Sequence, residues 1–153
     1  MELSLRALMP EDAGAARAFV AEHFAEGEYC ARALELLDSA LRFDDPEHMA
    51  LLAVTGSDAP LVGLVLFGTV AGARAVVKVH GVLGRRDAAV ALLEAVRHAS
   101  EQSGERMIVC ELPDDAPFAA AADALAASGY TEEGRVPDFV RDGVALRLLV
   151  RRA

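Results

Sequence analysis

Two hydrophobic periods alternate along this chain, and their order is the feature that most limits its fold. Apolar residues at every second position predict strands, whereas apolar residues at every third or fourth position predict helices. The segment 2–8 reads ELSLRAL and predicts a strand. Helical spacing follows, first from Pro10 to about Phe24 and then over about 28–42. Pro10, followed by two acidic residues, is typical of the first turn of a helix.

The rest of the chain alternates in the same way. Two further helices are predicted over 86–103 and 117–128, and a turn is predicted at 56–58. Six further strands are predicted over 49–55, 60–70, 73–82, 106–112, 130–136 and 143–152. The order is therefore β α α β β β α β α β β, without a repeat, linker or low-complexity segment. Strands interleaved with helices in 153 residues predict one α/β (mixed α+β) domain over 1–153, with a mixed central sheet of about seven strands and about four helices.

The charge balance excludes some classes of partner. The chain carries 24 acidic and 15 basic residues, for a net charge of -9. Proteins that bind nucleic acid usually present a clustered basic face, so we expect no nucleic-acid partner. No apolar run approaches the roughly 18 to 20 uncharged residues of a membrane span, so no membrane partner is expected either. The first residues, MELSLRALMPEDAG, lack a basic segment, and we expect a cytoplasmic protein without a secretory signal.

The two cysteines predict neither a metal site nor a disulfide. Cys30 and Cys110 lie far apart and match no metal-binding or redox spacing. We interpret both as small buried apolar side chains in a reducing compartment. No metal is expected.

Several local motifs occur in a characteristic order. They are Arg6–Asp12 (RALMPED), the residues from Phe24 to Ala40, Val62–Val65 (VGLV), Gly129–Glu133 (GYTEE) and Arg135–Phe139 (RVPDF) followed by Asp142 and Gly143. Together with the element order, this combination resembles the GNAT superfamily of N-acyltransferases, and the last motif resembles a bacterial subgroup of it. The resemblance covers essentially the whole chain. It implies a GNAT-like mixed sheet whose two central strands splay apart near Val79–Val82.

The resemblance also implies an activity and a co-substrate. GNAT enzymes transfer an acyl group, commonly acetyl, from acetyl-CoA or another acyl-CoA to an amine of a small molecule or peptide. Splayed central strands free backbone groups that bind the pantetheine arm of CoA, which here implies Val79, Gly81 and Val82. Small sheet domains with exposed edge strands often dimerise, so a homodimer is an open alternative to a monomer.

The pyrophosphate-binding turn of the family is altered in this chain. GNAT folds use Arg-Gly-x-Gly-x-Gly/Ala at the start of the third helix, where backbone N–H groups and the helix dipole favour phosphate. The corresponding residues are Gly84-Arg85-Arg86-Asp87-Ala88-Ala89, and only Ala89 fits the pattern. Arg85, Arg86, Ala88 and Ala89 are the implied phosphate-binding positions. At about 4 Å from a bound phosphate, the Asp87 carboxylate would disfavour binding by on the order of 4 kcal/mol at an effective dielectric of 20.

Two interpretations of this turn stay open. Arg85 and Arg86 could offset the repulsion by binding phosphate directly. Alternatively, Asp87 only caps the helix and both arginines are solvated. Because the altered turn is bulkier and carries a negative charge, we expect weak or absent CoA binding.

The sequence lacks the family's usual catalytic side chain. The family's usual proton donor, a tyrosine four residues before the Gly-Phe/Tyr pair, is replaced by Leu125. His80 and Glu111 are candidates for a base, against the simpler interpretation that both are structural. Glu28, Tyr29, Asp138 and Phe139 are candidates for the acceptor side, and for Glu28 and Tyr29 the alternative is helix capping and core packing. The alternative to an enzyme is a catalytically impaired GNAT-fold protein that acts as a binding or assembly module.

Overall fold

The computed structural model describes residues 2–56 and 60–153, and it confirms the predicted order of elements. Residues 57 and 58 of the predicted turn lie outside this range. The strands are Ser4–Ala7 (β1), Met49–Val54 (β2), Leu61–Thr69 (β3), Val76–Gly84 (β4), Met107–Pro113 (β5), Thr131–Arg141 (β6) and Val144–Arg152 (β7). The helices are Ala13–Phe24 (α1), Glu28–Ala40 (α2), Arg86–Gln102 (α3) and Ala119–Ala127 (α4), with short 3-10 turns at Pro10–Asp12 and Ala116–Phe118.

All seven strands belong to one mixed sheet, in the order β1-β2-β3-β4-β5-β7-β6. Neighbouring strands are antiparallel except β4 and β5, which are parallel. The predicted mixed sheet is thus confirmed. The parallel pair is joined over only three residue pairs, from Val76–Met107 to Lys78–Val109. Beyond Lys78 the two strands diverge, which leaves backbone N–H and C=O groups facing a gap at Val79–Val82.

The helices cover both faces of this sheet. Alternate residues of the central strands point to opposite faces, as strand geometry requires. Leu64 and Leu66 pack with α1 and α2, whereas Val65 packs with α3 and α4. Leu92 on α3 is fully buried, and such a leucine contributes about 1.5 to 3 kcal/mol to stability. The buried apolar residues therefore form two clusters, one on each face of the sheet.

The motif at Arg6–Asp12 has a structural role. The Arg6 guanidinium donates two hydrogen bonds to the Asp12 carboxylate, at 2.6 and 2.7 Å. Asp12 also accepts the backbone N–H of Met9 at 2.8 Å. These bonds stabilise the carboxylate, hold its pKa below the ordinary value and tie β1 to the start of the first helix.

The end of β6 differs from the prediction. The sequence predicts a strand ending near Val136 and a polar loop after it, but β6 continues to Arg141. Its register against β7 jumps between Val136 and Arg141, which marks a bulge. Pro137 has no N–H to pair, and Asp138 adopts a positive φ of 57°, so the bulge absorbs residues that otherwise signal a turn. β6 and β7 form a hairpin, in which the Asp138 carboxylate accepts the Gly143 N–H at 2.7 Å.

In the described residues, no helix combines the length and the apolarity that crossing a bilayer requires.

Candidate functional site

A cavity of about 370 Å³ lies where β4 and β5 diverge. One wall comes from α1 and α2 and includes His23, Phe24 and Tyr29. The floor comes from the two diverging strands, and Phe139 of the β6–β7 hairpin reaches the rim. The gap between the central strands therefore opens into a concave cleft that is partly open to solvent.

The structure brings six of the predicted site residues together around this cavity: His80, Gly81, Val82, Glu111, Tyr29 and Phe139. The others lie elsewhere. Glu28 is the exposed first residue of α2, and Asp138 forms the bulge. Val79 is fully buried against α3, and Arg85, Arg86, Ala88 and Ala89 belong to the start of that helix.

His80 occupies an irregular position in β4. Phe67 pairs with Val79 and Leu66 pairs with Gly81, so His80 is the extra residue of a β-bulge. Its Nε2 lies 2.8 Å from the carbonyl oxygen of Glu47. Burial lowers the pKa of His80 below 6.5, and the positive charge of Lys78 lowers it further. The ring is therefore neutral at pH 7 and able to accept a proton.

Lys78 and Glu111 form an ion pair across the point of divergence. The Lys78 Nζ lies 3.6 Å from the Glu111 Oε1, and the side chains are 30% and 49% exposed. Such a part-exposed pair contributes little to stability. It does keep the floor of the cavity electrically neutral beside the neutral imidazole of His80.

An aromatic cluster from α1, α2 and the Ala116–Phe118 turn lines one wall of the cavity. The ring centroids of Phe24, Tyr29 and Phe118 lie 4.7 to 6.3 Å apart, within the range of favourable tilted and edge-to-face contacts. The Tyr29 hydroxyl donates to Asp115 at 2.9 Å, and Arg141 donates to both the hydroxyl (3.1 Å) and the carboxylate (2.7 Å). This network attaches the β6–β7 hairpin to α2, because Arg141 lies at the end of β6.

Sequence reasoning missed several of these residues. Phe24, Phe118, Asp115 and Arg141 were not among the candidates for the site. Asp115 carried a usable signal: it precedes Ala116 and Pro117 and caps their 3-10 turn, accepting the Ala116 N–H at 2.9 Å. Arg141 carried none, since its partners are 26 and 112 residues away.

The charged side chains at the start of α3 are all engaged in ion pairs. Arg85 donates to both Asp87 oxygens, at 2.6 and 3.1 Å, and the carboxylate accepts the Ala88 N–H at 2.9 Å. Arg86 pairs with Asp123 on α4. The guanidinium of Arg85 holds the pKa of Asp87 below its usual range. A carboxylate thus lies in the first turn of α3, where the family resemblance implies a phosphate, although Arg85 and not Asp87 occupies the N-cap position and both arginines are ion-paired.

Gly84, just before this turn, adopts a φ of +117°. A Cβ at this position would overlap the Val62 carbonyl oxygen, so only glycine fits. The close approach of β4 to β3 therefore requires glycine here, at the position where the family motif has its leading arginine.

Three further groups are unsuited to proton transfer. Leu125, at the position of the family's tyrosine, is fully buried in the core. Tyr130 is also buried, its hydroxyl has no partner among the described residues, and burial raises its pKa. Burial raises the pKa of Cys110 to about 12, so the thiol is unreactive.

Comparisons with known proteins support the fold. No family model matches the sequence, and no curated protein matches it. Solved structures do match. A GNAT-family protein from Desulfovibrio desulfuricans has a TM-score of 0.83 at 21% identity, covering 99% of both chains.

Two other solved structures carry information on ligands. Aminoglycoside 6′-acetyltransferase type Ii has a TM-score of 0.76 at 14% identity, covering 99% of this chain and 97% of the other. A chain of the NatC complex, bound to Gag peptide and CoA, has a TM-score of 0.72 at 13% identity, covering 100% and 99%. At these identities the likeness establishes the fold alone: the chain has the GNAT fold, as predicted.

Proposed function

We propose that this GNAT-fold chain is an N-acyltransferase that transfers an acyl group from acetyl-CoA or another acyl-CoA to an amine of a small molecule or peptide. One observation carries the proposal. The unpaired edges of β4 and β5 beyond Lys78 and Val109 open directly into the cavity that holds His80. The pantetheine arm of CoA contains two amides, which the free N–H and C=O groups of such edges are suited to bind.

The cavity contains a group suited to the proton transfer that this reaction needs. When an amine attacks a thioester, a C–N bond forms, the C–S bond breaks and the nitrogen loses a proton. His80 is neutral and is the preferred acceptor of that proton. Glu111 is the second candidate, and its carboxylate is ion-paired with Lys78. The thiolate leaving group takes its proton from solvent, because Leu125 supplies none.

The two parts of an acyl-CoA fit this chain unequally. The gap at Val79–Val82 suits the pantetheine arm. The turn at Arg85–Asp87 does not suit the pyrophosphate, because the Asp87 carboxylate already accepts a helix N-terminal N–H. We therefore expect weak binding of acyl-CoA, dominated by the pantetheine arm.

The cavity lining favours an amine on an apolar body. Its acidic and basic groups are paired, Lys78 with Glu111 and Arg32 with Glu35, and the wall is aromatic. A polycation would find no unpaired carboxylate among the described lining residues. The names of the two solved structures described above mention a peptide and an aminoglycoside. The cavity lining suits an apolar peptide N-terminus, or a small apolar amine, better than an aminoglycoside.

The cysteines indicate the compartment in which the protein acts. The two free, buried cysteines suit a reducing compartment, so we propose a cytoplasmic protein, of bacterial type by its motifs.

We also propose that 1–153 is one domain. The sheet ends in β1 and β6, and pairing of an exposed edge would give a homodimer.

A transfer assay tests the function. The protein is incubated with acetyl-CoA and a panel of apolar amines, polyamines and peptides, and free thiol and acetylated product are both measured. We expect amine-dependent thiol release that His80→Gln reduces about a hundredfold, the lower range for a general base. The alternative, an impaired binding module, is favoured by Asp87 and Leu125. It predicts binding of an amine or peptide without product, even for Asp87→Gly.

A further inference from the structure

The peptide group of Glu47 lies unusually close to β3. A Cβ on Gly68 would overlap the carbonyl carbon and oxygen of Glu47, so only glycine permits this contact. The obstacle would be backbone, which cannot rotate away as a side chain could. Thr69 beside it donates its N–H to the Pro46 carbonyl at 3.0 Å and fixes the same segment.

The segment 45–48 is also braced internally. The Asp45 carboxylate accepts the Glu47 N–H at 2.9 Å and the His48 Nδ1–H at 2.7 Å. The His48 ring stacks on His80, with centroids 5.2 Å apart and planes 15° from parallel. The result is a rigid segment that presents one acceptor, the Glu47 carbonyl, to the edge of the His80 ring.

We propose that the Glu47 carbonyl, held in place by Gly68, fixes His80 as the Nε2–H tautomer and so makes Nδ1 the basic nitrogen of the site. A carbonyl oxygen only accepts hydrogen bonds, so the nitrogen 2.8 Å away must carry the hydrogen. The other nitrogen, Nδ1, then holds the free lone pair, and it has no hydrogen-bond partner within 2–56 and 60–153. This inference rests on the proposed role of His80 as the base.

Burial keeps this tautomer neutral against the opposing effect of the Glu47 hydrogen bond, and the surrounding charges add to the effect of burial. Lys78 on β4, Arg32 on α2 and His48 on the braced segment all disfavour a second proton on the ring. Glu111 faces the same cavity, but it pairs with Lys78. Among the described residues, Gly68, Asp45 and His48 do not line the cavity, so they act on the reaction only through His80. They are positioning residues.

Nitrogen NMR of ring-labelled histidine tests the tautomer without any substrate. An unprotonated ring nitrogen resonates far downfield of a protonated one, and His80→Gln identifies the His80 signals among the four histidines. We expect Nδ1 unprotonated and Nε2 protonated at pH 7.5. Finding the hydrogen on Nδ1, or rapid averaging of the two tautomers, would overturn the inference.

Gly68→Ala tests the positioning. It should displace the Glu47 carbonyl, move the His80 signals towards a tautomer average and lower kcat about tenfold with KM unchanged. Gly14→Ala is the matched control, because a Cβ on Gly14 meets nothing within 4 Å. An unaltered His80 spectrum in folded Gly68→Ala would contradict the proposal.

If Gly68→Ala does not fold, Asp45→Ala removes the brace without adding atoms and should shift the same signals, and an unchanged spectrum would again contradict the proposal. The proposed function can fail separately. The expected tautomer in a chain that transfers no acyl group would uphold the inference about the ring and reject the enzyme.

Discussion

The carboxylate of Asp87 accepts the backbone N–H of Ala88 at 2.9 Å, so a negative side chain occupies the N-terminus of α3. Arg85 closes the arrangement by donating to both oxygens of the same carboxylate. A helix N-terminus attracts anions through its unpaired N–H groups and its dipole. In this chain Asp87 already supplies the anion, and its removal should therefore expose a phosphate site.

Asp87→Gly should tighten CoA binding about tenfold or more, because even 1.4 kcal/mol of relieved repulsion is a factor of ten. The same change releases Arg85 to bind phosphate. Arg85→Ala should weaken CoA binding, most clearly in the Asp87→Gly background. Titration calorimetry measures all of these variants.

Asp87→Asn is the matched control for this series. It removes the charge but keeps the side-chain volume, so it should give only part of the gain. Micromolar CoA binding by the unmodified chain that Asp87→Gly does not improve would show that the turn is functional as it stands.

The pH dependence of transfer should report on His80. Burial lowers its pKa below 6.5, and the base is active only when neutral. Once kcat/KM is calculated on the concentration of unprotonated amine, it should therefore be constant above neutrality and fall as the pH drops through the lowered pKa of His80. The acid limb should be absent from the residual activity of His80→Gln. A limb that persists in this variant would assign the titration to another group.

Phe139→Ala should raise KM for an apolar amine severalfold without changing the free energy of unfolding by more than about 0.5 kcal/mol. The ring is 64% exposed at the rim of the cavity, so its loss removes a contact surface but little core packing. Phe43→Ala is the matched control, because that ring is 51% exposed and does not line the cavity. Equal KM values for the two variants would remove Phe139 from the site.

Leu125→Tyr should not restore a proton donor. The position is fully buried, and enlarging it should destabilise the protein by about 1 to 3 kcal/mol through overpacking. Leu125→Met, which nearly conserves volume, should cost less than about 1.5 kcal/mol. Urea denaturation measures both. A stable Leu125→Tyr variant with a raised kcat would show that the hydroxyl reaches the cavity.

The order of strands and helices could be predicted from the sequence because it follows from local hydrophobic period. The position of the gap between β4 and β5 was implied by the resemblance. The predicted end of β6 was wrong, because Pro137 and Asp138 are turn-forming residues in isolation. In the structure, pairing with β7 occurs on both sides of them. Tertiary pairing outweighed local preference there.

The site was less accessible to sequence reasoning. The partner of His80 is a backbone carbonyl, which every residue possesses, so nothing in the sequence marks Glu47. The contact of Arg141 with Tyr29 spans 112 residues and depends on how far β6 extends. Charged and aromatic residues could be recognised as candidates, but their mutual distances are products of the whole fold.

A crystal structure grown with acetyl-CoA tests the central claim most directly, namely that the gap between β4 and β5 binds the pantetheine arm. We predict density for the arm along the free backbone edge at Val79–Val82, with the thioester in the cavity beside His80. Asp87→Gly crystals provide the tighter-binding case. A thioester bound elsewhere, or a gap that stays empty in both proteins at saturating acetyl-CoA, would contradict the account.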